Sequence, residues 1–334
     1  MALTDLAPTR TRTGTVTKRL RLFAGRAHPA LADSVAAHLG VRLTPQSAYE
    51  FANGEVFVRF AESVRGCDAF VLHATAAPID QWLLEQLIMV DALKRASAKR
   101  ITVVMPCYPY ARQDHKHRGR EPVTARLVAD LVRTAGADRV MTVDLHAAQI
   151  QGFFDGPVDH LLAHTLLADH IQPHYRGRDI TVVAPDAGRV RLAEKWADHL
   201  GGTPIAFLHK TRDPRHPDAT TTNRVVGEVT GRLCVVVDDM IDTGHTVADA
   251  TRALLATGAT EVIATATHGV LSHGATARLA ACGVGEVVLT DTLPIPEDPH
   301  CPQLTVLSIA PLLARAIHEV FDDGSVTSLF DGHA

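Results

Sequence analysis

Two adjacent carboxylates close an apolar run and lead into a turn of small and hydroxylated residues: Val235-Val236-Val237-Asp238-Asp239-Met240-Ile241-Asp242-Thr243-Gly244-His245-Thr246. The β-branched run has the composition of a buried strand. Beyond the turn, Val247, Ala250, Leu254 and Leu255 share one face of a helix that stops at Gly258. A strand that passes through a small-residue loop into a helix N-terminus makes an anion site, because unpaired backbone N–H groups and the helix dipole point to one place. Asp238 and Asp239 would repel a bare phosphate, so the ligand must also bring hydroxyls or a metal. A phosphorylated sugar meets that demand. The plain alternative is an ordinary strand–turn–helix with acids at a strand end.

Other segments place reactive side chains in similar positions. Arg112-Gln113-Asp114-His115-Lys116-His117-Arg118-Gly119-Arg120-Glu121 follows an apolar run ending at Pro106. Arginine forks suit polyphosphate oxygens, although composition alone favours a solvated basic loop. Asp144 and His146 close another strand and are able to hold a divalent ion that bridges to a phosphate. A lone histidine is more often structural. Asp186 ends the next strand and is either a metal ligand or the N-cap of the helix that follows. Lys210 and Arg212 stand at the root of a polar, proline- and threonine-rich stretch, 213–223. Such cations are suited to closing over a phosphoryl group in transit, or they are ordinary hairpin charges. Phe51-Ala52-Asn53-Gly54-Glu55 reads first as a tight turn. A P-loop is absent, since no Gly-Lys pair occurs, and no GxGxxG follows a strand.

The elements that must position these groups alternate. Strand-like runs cover 21–24, 55–60, 69–73, 100–106, 139–144, 180–185, 204–208, 233–238 and 261–267. Helical patterns cover 29–39, 79–96, 122–135, 189–200 and 246–257. That alternation predicts an α/β fold with mostly parallel central sheets and ligands beyond the carboxyl ends of the strands. A short echo, Gly136-Ala137 leading to His146 and Gly258-Ala259 leading to His268, points to two similar halves split near residue 160.

Composition bounds the rest. The 334 residues fit about two domains, and a net charge of −4 without a long basic run argues against a nucleic-acid binder. Cys67, Cys107, Cys234, Cys282 and Cys301 form no C-x-x-C pair, which favours buried thiols. No apolar segment approaches a membrane span. The first 19 residues lack the apolar core of a secretory signal and read as a disordered extension, so the expected location is cytoplasmic.

Taken in order, these loops resemble the ribose-phosphate pyrophosphokinases, or phosphoribosyl pyrophosphate synthetases, over residues 20–330. The matching segments are 51–55, Ala-Arg-Gln-Asp at 111–114, Arg-Gly-Arg-Glu-Pro at 118–122, Asp-Leu-His-Ala at 144–147 and Gln-Ile-Gln-Gly-Phe-Phe at 149–154. They continue with Asp-Asp-Met-Ile-Asp-Thr-Gly at 238–244, Ala-Thr-His-Gly-Val-Leu-Ser at 266–272 and Ala-Pro-Leu-Leu-Ala at 310–314. The resemblance implies two domains of type I phosphoribosyltransferase-like fold, 20–160 with the ATP elements and 161–334 with the sugar-phosphate loop. It implies transfer of pyrophosphate from ATP to ribose 5-phosphate, with Mg2+ as cofactor. Carried over by position, Phe51, Asn53, Gly54 and Glu55 face the adenine side of ATP, and Arg112 and Gln113 bind ATP with Asp114 in support. His146 and Asp186 are the implied metal ligands, and Lys210 and Arg212 the catalytic cations. Arg212, Asp238, Asp239, Asp242, Thr243, Gly244, His245 and Thr246 are the implied contacts of ribose 5-phosphate. Homo-oligomers, often hexamers, with phosphate activation and ADP inhibition, are implied as well; no nucleic-acid or membrane partner is.

The chain departs from the family pattern at named positions. His115 stands where members commonly have Arg, and Arg189 follows Gly188 where a second Gly is common. Lys210-Thr211-Arg212 keeps the outer cations of a Lys-Arg-Arg triplet, and the following segment is about two residues longer than the family pattern. Two other functions share parts of this pattern. A salvage phosphoribosyltransferase would share the 238–246 loop, but not residues 51–55 and 112–114. A non-catalytic regulatory paralogue would lose loop cations or metal ligands, all of which are present.

Overall fold

The computed structural model describes residues 18–211, 222–296 and 301–330. The first half runs β1 (Leu20–Ala24), α1 (Pro29–Leu39), β2 (Gln46–Glu50), β3 (Val56–Phe60), β4 (Asp68–Leu72), α2 (Ile79–Arg95), β5 (Arg100–Met105), α3 (Thr124–Ala135), β6 (Arg139–Val143) and β7 (Val158–Leu161). The second half runs α4 (His164–His174), β8 (Ile180–Ala184), α5 (Val190–His199), β9 (Ile205–Thr211), β10 (Thr222–Val226), β11 (Leu233–Ile241), α6 (His245–Ala256), β12 (Glu261–Gly269), α7 (Ala275–Ala281), β13 (Glu286–Thr290), β14 (Leu304–Leu307) and α8 (Ala310–Phe321).

Two sheets result. The first is parallel throughout, in the order β1-β4-β5-β6-β7, and the second has the order β10-β9-β8-β11-β12-β13-β14 with only the β10–β9 pair antiparallel. Helices cover both faces, so the central strands are apolar along most of their length; Val103, Val104 and Met105 are fully buried, as are Val235 and Val237. The helices stop and start for local reasons. Pro29 opens α1 behind His28, whose ring accepts from the Leu31 N–H, and Gly40 closes it at φ 65°. The α/β class, with mostly parallel sheets in two similar halves, is as the residue pattern predicts.

One apolar core joins the two sheets. Leu22 and Phe70 from the first sheet, Val182 and Val235 from the second, and Trp196, Leu313 and Ile317 from the intervening helices belong to the same buried cluster. The strand ends of both halves are thereby held against one another. His268, in β12, is fully enclosed, and its Nε2 lies 3.1 Å from the Val143 and Asp144 carbonyls at the end of β6.

Several elements escaped the sequence pattern. The β2–β3 hairpin, which pairs Tyr49 with Phe57, was expected only as a strand from 55. β7, α4, β10, β13, β14, α7 and α8 were not anticipated either, and β11 runs on to Ile241, so that Asp238 and Asp239 sit inside the strand. Cys67, Cys234, Cys282 and Cys301 are buried free thiols, whereas Cys107 is half-buried. No helix among the described residues is long and apolar enough to cross a membrane. The expected extension 1–19 lies almost wholly outside the described residues.

Candidate active site

The last residues of β11 deliver Asp238 and Asp239 to the junction of the two sheets. The chain then turns through 242–244, with Gly244 at φ 74°, into α6, whose first turn has no side-chain cap. The N–H groups of that turn have no intrahelical acceptor and are free to meet an anion. Gly244 is needed there because this left-handed backbone strains any residue with a Cβ, and the added carbon would stand 3.4 Å from the Ala275 carbonyl. A cavity of about 220 Å3 opens over this turn. Asp238, Asp239, Asp242, Thr243, Gly244 and Thr246 line it, and so do Arg112, His146, Asp186 and Arg189. His245 belongs to the same turn but does not line the cavity.

The loop is braced from below. Ser272 donates from Oγ to Asp242, Arg278 donates to the Thr243 carbonyl, and Arg112 Nη1 lies 2.9 Å from Asp242 Oδ2. Burial would raise the Asp242 pKa, but the Ser272 hydroxyl and the Arg112 charge outweigh it and hold it below the usual range.

Arg189 occupies the space between the acids. Its Nε is 2.8 Å from Asp238 Oδ1 and its Nη2 is 2.7 Å from Asp239 Oδ1. Nη2 also lies 2.7 Å from His146 Nδ1, which is itself 2.8 Å from Asp239 Oδ2. Burial pushes Asp239 up, yet the hydrogen bond from His146 and the Arg189 charge drive its pKa well below the carboxylate range. Asp238 goes the other way, raised by burial and by the negative charge of Asp239 beside it.

His146 and Asp186 suit a divalent ion. His146 Nδ1 is engaged by Asp239, the arrangement in which a carboxylate orients a metal-ligating imidazole and leaves Nε2 available. Asp186 Oδ1 accepts from the Gly188 N–H, capping the short turn that precedes α5, so its other oxygen remains open. The cap and ligand readings of Asp186 are therefore compatible. No cluster of three or more His, Cys, Asp or Glu ligands occurs among the described residues. Two protein ligands, with phosphate oxygens and water completing the shell, is the pattern magnesium favours.

A second cavity, of about 480 Å3, adjoins the first and shares Arg112 and Met240 with it. Tyr108, Tyr110, Val270, Leu271 and Pro294 give it a largely apolar wall, and Gln113 reaches its rim. Asp114 lies behind, buried, and is held by His115 Nδ1 at 2.8 Å and by Gln149 Nε2. That makes Asp114 a support for the loop. His115 keeps a partner there.

Other expected residues stand apart. Phe51, Asn53, Gly54 and Glu55 form the exposed tip of the β2–β3 hairpin, where Phe51 packs edge-on against Tyr49 and Asn53 Oδ1 accepts from the Glu55 N–H. They line neither cavity. Lys210 is paired with Asn223 across β9 and β10, and Arg212 lies outside the described residues. Sequence reasoning missed the contacts of Arg189, Ser272 and Gln149. The first was flagged only as a departure, and the others lie within matched segments whose individual contacts no spacing reveals.

Known proteins resemble the chain along nearly its whole length. The N-terminal domain of ribose phosphate pyrophosphokinase matches residues 20–136, and the phosphoribosyl synthetase-associated domain matches residues 209–331. The ribose-phosphate pyrophosphokinase of Mycobacterium bovis is 66% identical over 317 residues, covering 95% of this chain and 97% of the relative. That of Corynebacterium glutamicum is 60% identical over the same shares. The crystal structure of phosphoribosylpyrophosphate synthetase from Mycobacterium smegmatis superposes with a TM-score of 0.88 at 64% identity, covering 92% of this chain and 100% of that one. With full-length identity at this level and both domain matches in register, the chain belongs to the ribose-phosphate pyrophosphokinase family.

Proposed function

We propose that the chain transfers the β,γ-pyrophosphoryl group of ATP to the anomeric hydroxyl of ribose 5-phosphate, yielding phosphoribosyl pyrophosphate and AMP. The observation that carries this reading is the pair of adjoining cavities. One is an anion-binding turn flanked by carboxylates, and the other is apolar-walled with Arg112 and Gln113 at its edge. In this reading the N–H groups of 243–246 hold the 5-phosphate while Asp238 and Asp239 accept from sugar hydroxyls. The apolar cavity receives the nucleoside, and Arg112 and Gln113 meet its phosphates.

The chemistry asks mainly for placement and charge compensation. The anomeric oxygen forms a bond to the β-phosphorus as the bond from that phosphorus to the AMP oxygen breaks. Arg112 stands between the two cavities, where the phosphate chain must pass. Lys210 and Arg212 are assigned to the charge that builds on the transferred group and the leaving oxygen. His146 and Asp186 would hold Mg2+, which supplies charge neutralisation across phosphate oxygens when bound.

The hairpin tip 51–55 is exposed and lines neither cavity of its own chain, so its assignment to adenine calls for a second copy. Homo-oligomeric assembly, the division into 20–160 and 161–334, control by phosphate and ADP, and a cytoplasmic location belong to the same proposal and rest on the family resemblance. The salvage-transferase and regulatory-paralogue readings gain no support from the comparisons. Incubation of purified protein with ATP, Mg2+ and ribose 5-phosphate should release AMP and phosphoribosyl pyrophosphate in equal amounts. Binding of both substrates without turnover would favour the regulatory paralogue.

A further inference from the structure

The acids assigned to the sugar already carry a cation of their own. Arg189 touches Asp238 through Nε and Asp239 through Nη2, and its Nη1 lies 3.3 Å from the His146 carbonyl. All three charged side chains are largely covered: 17% of Arg189, 14% of Asp238 and 6% of Asp239 is exposed. Two neighbouring carboxylates shielded from water need a countercharge close by. Either a divalent ion or a guanidinium is able to supply it. Here it is a guanidinium, whose rigid planar fork spans both groups at once.

The fork takes only one edge of the pair. Hydrogen bonds from Arg189 and from the Asp239 N–H both fall on Asp238 Oδ1. Asp238, Asp239 and Arg189 all line the cavity over the 242–244 turn, so a phosphate seated on that turn brings its sugar to them. Arg189 enters from the turn after β8, a different strand end from the one that carries the acids.

We propose that Arg189 is a positioning residue for the sugar: it is the built-in counter-cation of the Asp238–Asp239 pair and makes binding of ribose 5-phosphate independent of a divalent ion at those carboxylates. The proposal rests on the reading of the 242–246 turn as the sugar-phosphate site. It separates the metal requirement of the nucleotide, through His146 and Asp186, from that of the sugar.

Calorimetric titration of the full-length chain in EDTA, without nucleotide, tests it with two probes, ribose 5-phosphate and inorganic phosphate. The wild type should bind ribose 5-phosphate in EDTA. Arg189→Ala should weaken that binding about tenfold or more, the scale expected when one partner of a covered charge pair is removed. Its affinity for inorganic phosphate should stay unchanged, and added Mg2+ should restore part of the loss. Arg189→Lys, which keeps the charge but not the fork, should fall between the two and serves if the alanine variant fails to fold. Binding in EDTA by the alanine variant as tight as wild type, or tighter, would overturn the proposal, as would a wild type that takes up ribose 5-phosphate only with Mg2+. A parallel loss of phosphate affinity would also overturn it, by showing general damage to the turn. A wild type that binds neither probe under any condition would instead remove the sugar-phosphate reading itself.

Discussion

Arg112 and Asp242 meet at 2.9 Å, Nη1 to Oδ2, and so tie the loop after β5 to the loop after β11. One belongs to the five-stranded sheet and the other to the seven-stranded sheet. The contact sets the candidate nucleotide side beside the candidate sugar-phosphate side, and in-line transfer depends on such fixed separation. Arg112 is 57% exposed, so the pair contributes little to stability, and its effect is on placement.

Arg112→Ala should therefore leave folding stability within about 1 kcal/mol of wild type. Its effect should appear in the KM for ATP, raised roughly tenfold by loss of a charge-assisted hydrogen bond to phosphate. Steady-state kinetics alongside a thermal melt separates the two. An unchanged KM would remove Arg112 from the nucleotide site.

Lys210→Ala should lower kcat by about 10²-fold, or roughly 3 kcal/mol of transition-state stabilisation, by analogy with other donors to developing negative charge. ATP affinity, measured by equilibrium binding, should stay nearly intact. Wild-type turnover in the variant would rule out the assigned role.

Gly244→Ala places a Cβ on a left-handed backbone at φ 74° in the centre of the candidate anion-binding turn. The strain is worth about 1–2 kcal/mol, and relief by rotating the peptide would turn N–H groups off the phosphate. Both the melting temperature and the affinity for ribose 5-phosphate should fall, whereas Gly244→Asn, better tolerated in this conformation, should lose less of each.

The acid limb of stability has a named source in Glu85, fully buried on α2. Burial alone would raise its pKa; the His73 ring and the Arg26 N–H and guanidinium outweigh this and bring it from 4.5 down to about 2. A depressed carboxylate stabilises the fold above its unfolded pKa, and the contribution disappears as pH falls through the folded value. Glu85→Gln should thus cost roughly 3 kcal/mol at neutral pH. The gap from wild type should narrow between pH 4.5 and about 2, as followed by denaturant unfolding across that range. A constant gap would place the cost in packing.

Chelation of divalent ions should stop turnover, and His146→Ala should raise the Mg2+ concentration for half-maximal rate by about tenfold or more. Asp239→Asn should shift it in the same direction, because Asp239 orients the imidazole through Nδ1 at 2.8 Å. A Mg2+ titration of each variant checks both.

The amino-acid sequence by itself determined the alternation of strands and helices, the strand–turn–helix around Asp238 to Thr246, and the family pattern along the chain. Those features are local: burial on both faces makes a strand apolar throughout, and an anion-binding turn needs Gly and Thr at adjoining positions. The short edge strands β7, β10 and β14 were illegible, since edge strands have one neighbour and carry weak patterns. Only the tertiary structure decided that Arg189 stands between Asp238 and Asp239, that His146 leans on Asp239 across 93 residues of chain, and that the 51–55 tip lines neither cavity. Such contacts arise when separate strand ends are brought together by the shared core of Leu22, Trp196 and Ile317, and no local periodicity encodes which side chains then meet.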